Sequence, residues 1–270
     1  MNKIIYDFGA SSGENIPYYL LKSDLVVAVE ADPRNCNHIE KKFQKDIQSG
    51  KLILEKCILT EKNENNKNFY THKNNHLLGQ FPKPIKSLNK NFFRIEILSK
   101  DVLEVIKFYG DPYYIKIDLE EYDEIILKRI LSNNIKPSYL SVEATNTNML
   151  ELLNNLGKYK SYKLVEGNNV EYIYKNAKIH LKSIIKNYSF PKNSAGPFGN
   201  DIYGTWINKK NFSELMNFKS CGWRDIHCSS LDLSEEEENS VKYINIEKKR
   251  DKKVKLIRRY LRLKSKFNFF

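Results

Sequence analysis

The sequence predicts an α/β fold built on a mostly parallel sheet, and three observations carry that expectation. β-rich runs alternate with helical segments through the first 60 residues and again between 99 and 156. Leu25–Ala31 (LVVAVEA) is a near-continuous apolar run, as expected of a parallel strand covered on both faces. Ile4–Gly9 (IIYDFG) is a short β-rich run that ends in glycine, where a strand can turn sharply into a helix.

Taken in order, Ile4–Gly9 is the first strand and residues 14–22 a short helix, in which Pro17 is confined to an early turn. Leu25–Ala31 is the second strand. Asp32 and Pro33 start a helix over residues 35–48, and Lys51–Leu59 is the third strand. Residues 61–93 read as an insertion with a short strand around Phe69–Thr71, and Arg94–Leu98 is a further strand. Ser99 caps a helix that runs to Tyr109 and ends at Gly110–Asp111–Pro112. Tyr113–Asp118 (YYIKID) and Tyr139–Ala144 (YLSVEA) are strands, with helices over 121–132 and 147–156. Tyr159–Lys175 alternates on both sides of Gly167–Asn168–Asn169, which predicts a β-hairpin closing the sheet with antiparallel strands. Beyond 176 the Gly/Pro-rich stretch SFPKNSAGPFGNDIYGTW is expected to be ordered loop. Four consecutive glutamates follow, and residues 249–264 read as a basic helix. This gives an α/β domain over 1–176, an extension over 177–230, and an acidic linker with a basic tail over 231–270.

Composition narrows the class. With 270 residues, 41% apolar, and 31 Tyr and Phe, the chain can bury a sizeable core, which excludes wholesale disorder and a disulfide-dependent miniprotein. Cys36, Cys57, Cys221 and Cys228 form neither a Cys-x-x-Cys pair nor a zinc-finger spacing, and they read as reduced thiols. No secretory leader and no apolar run near 18 residues is present, so the expected location is cytoplasmic. The net charge of +12 is concentrated: residues 241–270 hold 12 Lys/Arg against 2 Asp/Glu, while the other 240 residues are nearly neutral. A basic pI therefore does not by itself imply a nucleic-acid groove here.

The chemistry-bearing signal is YDFGASSGENIPYYL followed by VVAVEAD. Gly9 and Gly13 frame a strand-to-helix turn that lets a ligand approach the backbone, and Ala10 lies within it. Glu30, 21 residues after Gly9, ends the second strand, where a carboxylate can accept two ribose hydroxyls. Asp7 precedes the turn and could orient a ligand amine or the loop. Ser11 occupies the place of the middle glycine of a dinucleotide fingerprint, which favours an adenosine ligand without pyrophosphate in the turn. S-adenosylmethionine meets that description. From these residues alone, an ordinary tight turn and an ordinary strand-end carboxylate stay open as alternatives.

The second signal is YIKIDLEEYDEIIL. Asp118 sits at the carboxyl end of an apolar strand, where open α/β sheets bind ligands, and Asp118 with Glu120 forms the preferred inward pair. Glu143 ends the next strand and can enter the same cleft. Three such carboxylates would suit a hard divalent ion, but no spacing requires one and none is expected. DPYY at Asp111–Tyr114 copies an amino-methyltransferase tetrad but precedes its strand, so base methylation is not expected. In the distal set around Trp223 and Asp225, His227 is the candidate general base alongside Asp118 and Glu120.

These blocks together resemble the FkbM family of S-adenosylmethionine-dependent methyltransferases. YDFGASSG is similar to its cofactor turn, AVEADP to its acidic strand end, and YIKIDLEEYDEIIL with SVEA to its central acidic segment, over about residues 3–175. SAGPFGNDIYGTW and WRDIHC resemble a C-terminal extension found in a subset of the family. Where the family usually has Asn this chain has Ser11, and where it usually has Gly this chain has Glu121. The resemblance implies a class I methyltransferase fold, Rossmann-like, with strand order 3-2-1-4-5-7-6. It also implies S-adenosyl-L-methionine as cofactor and O-methylation of a saccharide, glycan or glycolipid-like hydroxyl. An NAD-dependent oxidoreductase and a noncatalytic cofactor- or glycan-binding protein are the competing readings.

Residues 249–270 carry Leu256, Ile257, Tyr260, Leu261 and Leu263 on one face of a helical wheel, with lysines and arginines opposite and Phe267, Phe269 and Phe270 at the end. That pattern suits peripheral attachment to an anionic membrane surface better than nucleic acid. A basic helix docked on its own domain is the plain alternative.

Overall fold

A computed structural model of the chain describes residues 2–63, 65–85, 88–144, 148–219 and 223–267, with backbone alone at 89, 254 and 257–267. Seven strands form the main sheet: β1 (Ile4–Phe8), β2 (Leu25–Glu30), β3 (Leu52–Lys56), β4 (Pro112–Ile117), β5 (Tyr139–Glu143), β6 (Ser161–Glu166) and β7 (Arg224–Ser229). Their spatial order is β3-β2-β1-β4-β5-β7-β6. The first five are parallel and β7 runs antiparallel to both neighbours. This is the class I methyltransferase order that the resemblance implies.

The source of β7 corrects the sequence reading. The hairpin expected over Tyr159–Lys175 does not form. Gly167–Asn169 is a 3-10 turn and Val170–Ile173 a short helix, and the partner strand comes from Arg224–Ser229, inserted between β5 and β6. The boundary drawn at 176 therefore cuts through the sheet. The physical reason lies in the burial pattern: Val170 and Tyr174, four apart, are buried, while Tyr172 is 78% exposed. Val170, Ile173 and Tyr174 satisfy a helical face, while Val170, Tyr172 and Tyr174 satisfy an alternation.

The helices follow from local signals. α1 (Ile16–Lys22) has Pro17 in its first turn, and α2 (Pro33–Lys42) is capped by Asp32, whose side chain accepts from the Arg34 N–H. α3 (Val102–Tyr109) is capped by Asp101 rather than Ser99, because Ser99–Asp101 is a short strand paired with Ile58–Thr60. α4 (Asp123–Ser132), α5 (Asn148–Asn155) and α6 (Lys209–Phe218) complete the layers, and α7 (Glu237–Phe267) is the long C-terminal helix.

Strand alternation splits the core in two. Tyr6, Phe8, Ile115, Ile117 and Ile226 face the α3–α6 side. Ile5, Val26, Ala28 and Tyr114 face α1 and α2. On the second side the loop 194–201 packs on α1. Ser194 Oγ and the Ala195 N–H donate to Asn15 Oδ1 at 2.8 and 3.0 Å, and Phe198 stacks on Tyr114 at 4.1 Å between ring centroids. Truncating Phe198 to Ala should cost about 3–5 kcal/mol, the range for a buried aromatic. A hairpin, Ala177–His180 with Ile185–Tyr188, lies just before the stretch expected to be loop.

Candidate functional site

A cavity of about 440 Å³ opens at the carboxyl ends of β1, β2, β4 and β5. This is the edge where an open α/β sheet places its ligands. It is lined by Gly9, Ser11, Glu30, Asn35 and the Cys57–Leu59 strand edge, together with Asp118, Glu120, Glu143 and Trp223.

Glu30 braces the glycine turn. Its Oε2 accepts the Ser11 N–H and its Oε1 the Asp32 N–H, each at 2.7 Å. Burial lifts its pKa to about 7, and the two N–H donors oppose that rise. Each carboxylate oxygen keeps a lone pair for a further donor, so the residue can still meet a diol. Ser11 Oγ is buried beside it without a hydrogen-bond partner among the described residues.

Asp32 ties the insertion down over the cavity. Its Oδ2 accepts from Thr71 Oγ1 at 2.5 Å and from Arg34 at 2.6 Å. Asn35 Nδ2 donates to the His76 carbonyl at 3.2 Å, and Ser12 Oγ lies 3.3 Å from His76 Nδ1. The insertion thereby brings Phe69, His76, Leu78 and Phe81 into the cavity wall. Position in an Asn/Lys-rich insertion gave little reason to single out His76 over His72.

The acidic part of the wall is built on one face of the sheet. Asp7 and Lys116 are direct neighbours across β1 and β4, and Glu143 and Asp225 are direct neighbours across β5 and β7. Lys116 Nζ donates to the Gly9 carbonyl at 3.0 Å and lies 3.2 Å from Asp118 and 3.5 Å from Asp7. Burial works against its charge, but Asp118, Asp7 and Asp225 outweigh that and raise its pKa. Burial, then repulsion from Asp118, pushes Glu120 up to about 8 and Glu143 to about 7. Asp225 is likewise raised well above the usual carboxylate range, by burial first and Asp118 second.

The structure therefore gathers Gly9, Glu30, Asp118 and Glu120 from the sequence-predicted set, with Glu143 entering the same cleft as its strand-end position suggested. It does not bring the rest to the cavity wall. Ala10 is 2% exposed, its N–H bonded to the Val29 carbonyl. Gly13 is a packing glycine, since an added Cβ would lie 2.9 Å from Phe43 and 3.0 Å from Ile16. Asp7 is fully buried behind the wall and acts on the cleft through Lys116. His227 is corrected outright: it sits on β7 opposite Ser141 and Lys163, two residues deeper than Asp225. It is 2% exposed and absent from the cavity wall, and burial and then Lys163 lower its pKa to about 3, which makes it a weak base. Of the extension, Asn193 and Trp223 line the cavity. Among the described residues no three His, Cys, Asp or Glu side chains are grouped to hold a metal ion.

No family model matches the chain, and no curated protein matches it. The solved FkbM methyltransferase of Methylobacillus flagellatus KT aligns with 61% of this chain at 17% identity, with a TM-score of 0.43. This chain spans 40% of that protein's length. Precorrin-6y C5,15-methyltransferase from Geobacter metallireducens GS-15 aligns with 85% of this chain and 81% of its own length, at 10% identity and a TM-score of 0.38. The METTL16 methyltransferase domain covers 61% of this chain and 54% of its own, at 12% identity and 0.36. Such likenesses concern the fold alone, and the class rests on the chain's own strand order, that of a Rossmann-like class I methyltransferase sheet.

Proposed function

We propose that the protein is an S-adenosylmethionine-dependent methyltransferase that methylates a hydroxyl oxygen of a saccharide, glycan or glycolipid-like acceptor. The observation that carries this reading is that one cavity wall holds both Glu30 with the glycine turn and Asp118, Glu120 and Glu143. The residues fit the cofactor: Glu30 would receive the ribose hydroxyls, the Cys57–Leu59 edge and Phe69 would flank an aromatic base, and the acidic groups suit a cationic centre. When bound, S-adenosylmethionine supplies an electrophilic methyl group. The chain's own work is to orient the acceptor oxygen and take its proton. Glu120 and Glu143 are the carboxylates whose proton affinity is matched to that task near neutral pH.

Purified protein incubated with labelled S-adenosylmethionine and a glycan panel should yield base-stable O-methyl product. Product consisting only of methyl esters or N-methyl groups would defeat the O-methylation reading. Calorimetry with S-adenosylmethionine and NAD separates the oxidoreductase alternative, and cofactor binding without turnover on any acceptor would favour a binding protein. We further propose peripheral attachment to an anionic membrane through the basic tail, supported by its charge. The wheel residues from Ile257 onward lie outside the described side chains. Among the described residues no helix is long and apolar enough to cross a membrane.

A further inference from the structure

The segment 177–201 takes little part in the cavity described above, since Asn193 alone of these residues lines it. The same segment builds a second cavity, of about 550 Å³, at the opposite edge of the sheet. There Lys3 immediately before β1, Tyr113 in β4 and Tyr139 at the start of β5 meet Lys22 at the end of α1, the hairpin residues His180–Ile184 and the loop residues Phe198–Asp201. The Phe198–Asp201 part of SAGPFGNDIYGTW therefore serves this second cavity and not the first. Its volume lies in the range of small-molecule sites.

Asp201 organises this cavity. Its side chain is fully buried, and each oxygen already has two partners. Oδ2 accepts from Tyr18 at 2.8 Å and from Lys22 at 2.7 Å, while Oδ1 accepts the His180 N–H at 2.9 Å and lies 2.8 Å from His180 Nδ1. A carboxylate has about four lone-pair sites, so Asp201 has none left for a ligand, and Lys22 neutralises its charge. What it does is hold Lys22 and His180 in place. The other two lysines are not spent on it. Lys3 Nζ lies over the Tyr113 ring at 4.7 Å and, among the described residues, has no carboxylate within ion-pair distance. Lys182 is 81% exposed and lies 3.3 Å from Asp24, which does not line the cavity. The lining therefore carries surplus positive charge, although the chain outside its tail is nearly neutral.

Phe198 and Tyr139 are buried and Lys3 covers Tyr113, so the cavity offers no broad ring face to a nucleotide base. It offers cations beside the Asn200 amide and the Ser183 hydroxyl, a set that suits a small anion rich in hydroxyls. We propose that the second cavity binds an anionic sugar, whose phosphate or carboxylate is held by Lys3 and Lys182 and whose hydroxyls meet Asn200, Ser183 and His180. The site lies apart from the cleft at the carboxyl ends of the strands, and the proposal does not rest on the methyltransferase reading.

The test is calorimetric titration of the full chain with glucose 6-phosphate, glucuronate, glucose and inorganic phosphate. One or both anionic sugars should bind at least about tenfold more tightly than glucose and than phosphate alone, and high salt should weaken the binding. The two arms tell which anion the site takes. Lys3→Gln should cost about tenfold in that affinity, and Lys3→Gln combined with Lys182→Gln should cost more, with the melting temperature retained. Lys178→Gln, on the same hairpin but outside the cavity, should leave the affinity intact, as should removal of residues 257–270, which tests for capture of anions by the basic tail. No binding of either anionic sugar, binding matched by glucose or by inorganic phosphate, or affinity that survives the double lysine change would each overturn the proposal. So would a loss in Lys178→Gln or in the 1–256 protein as large as that in Lys3→Gln. Glu30→Gln should leave sugar binding unchanged, so failure here and failure of the methyltransferase reading are read separately.

Discussion

Glu30 holds the Ser11 N–H at 2.7 Å with one carboxylate oxygen while the other holds Asp32. The end of β2 thus fixes the glycine turn after β1 before any ligand arrives. Glu30→Ala leaves two largely buried N–H groups without this acceptor, at a cost of about 1–3 kcal/mol, besides removing the proposed ribose contacts. Glu30→Gln keeps one acceptor oxygen and should lose less of both. Calorimetry with S-adenosylmethionine, beside thermal melting, should rank wild type above Gln and Gln above Ala on both measures.

Ser11 and Glu121 occupy left-handed backbone, with φ of 51° and 70°. These are the positions where the FkbM family usually has Asn and Gly, the residues that best tolerate that region. Ser11→Asn and Glu121→Gly should each stabilise the protein, the second by about 1 kcal/mol. Paired melting curves check this, and a fall in melting temperature for both would contradict it.

The same pair shows what the sequence could convey. The turn, the Glu30 strand end and the Asp118 segment are each contained within a few consecutive residues, so pattern alone located them. The departures at Ser11 and Glu121 gain a physical meaning from the backbone angles, which a residue pattern does not carry. β7 was illegible for a different reason. Arg224–Ser229 lies 58 residues after β6 ends, and nothing local says that it slips between β5 and β6. That same pairing carries His227 into the core, where a histidine attractive as a base in sequence becomes a buried neutral side chain.

Gly9 and Gly13 should now behave differently. A Cβ on Gly9 would stand 1.7 Å from the Asp118 carbonyl oxygen, backbone that cannot move without parting β1 from β4. A Cβ on Gly13 meets the rings and methyls of Phe43, Ile16 and Ile39 at 2.9–3.2 Å. Both glycines have positive φ, 81° and 78°, so both alanines are strained. Gly9→Ala should abolish cofactor binding with severe destabilisation. Gly13→Ala should lower the melting temperature yet keep cofactor affinity within a few-fold, as calorimetry of the folded fraction would show.

Activity and stability should move in opposite directions with pH. On the proposed reading, Glu120 and Glu143 take the acceptor proton only when ionised, so kcat/KM should rise as pH passes through about 7–8. Glu120 is faced by Asp118, Glu143, Asp123 and Glu121. Glu143→Gln removes one of these negative neighbours, lowers the proton affinity of Glu120 and should shift the rising limb to lower pH. For stability, folded pKa values above the unfolded ones mean that the native state binds more protons. The stabilisation is complete below about pH 4 and is lost as pH climbs through the folded values, so the melting temperature should decline from pH 5 to 8.5. A rate that falls over pH 6–8 would exclude a carboxylate base of this kind.

The basic tail can be separated from the part of α7 that holds the domain together. Ser240 and Ile244 are buried, Lys219 bridges Glu166 and Glu247 at 2.7 Å each, and Lys255 Nζ reaches the Phe218 carbonyl at 2.8 Å. Cutting at residue 240 would remove these contacts together with the tail, whereas cutting after 256 keeps them. Residues 257–270 contain five Lys/Arg and no Asp/Glu, with Phe267, Phe269 and Phe270 at the end. Near an anionic leaflet each basic side chain contributes about 1 kcal/mol, so these five are enough to recruit the protein at moderate salt. The full chain should float with phosphatidylserine-containing vesicles and stay down with neutral ones, and high salt should release it. The 1–256 protein should not float, yet should melt like the full chain and retain cofactor affinity. Equal flotation of the two proteins, or retention of the full chain by RNA or DNA alone, would remove the membrane role and leave the chemistry of the cleft untouched.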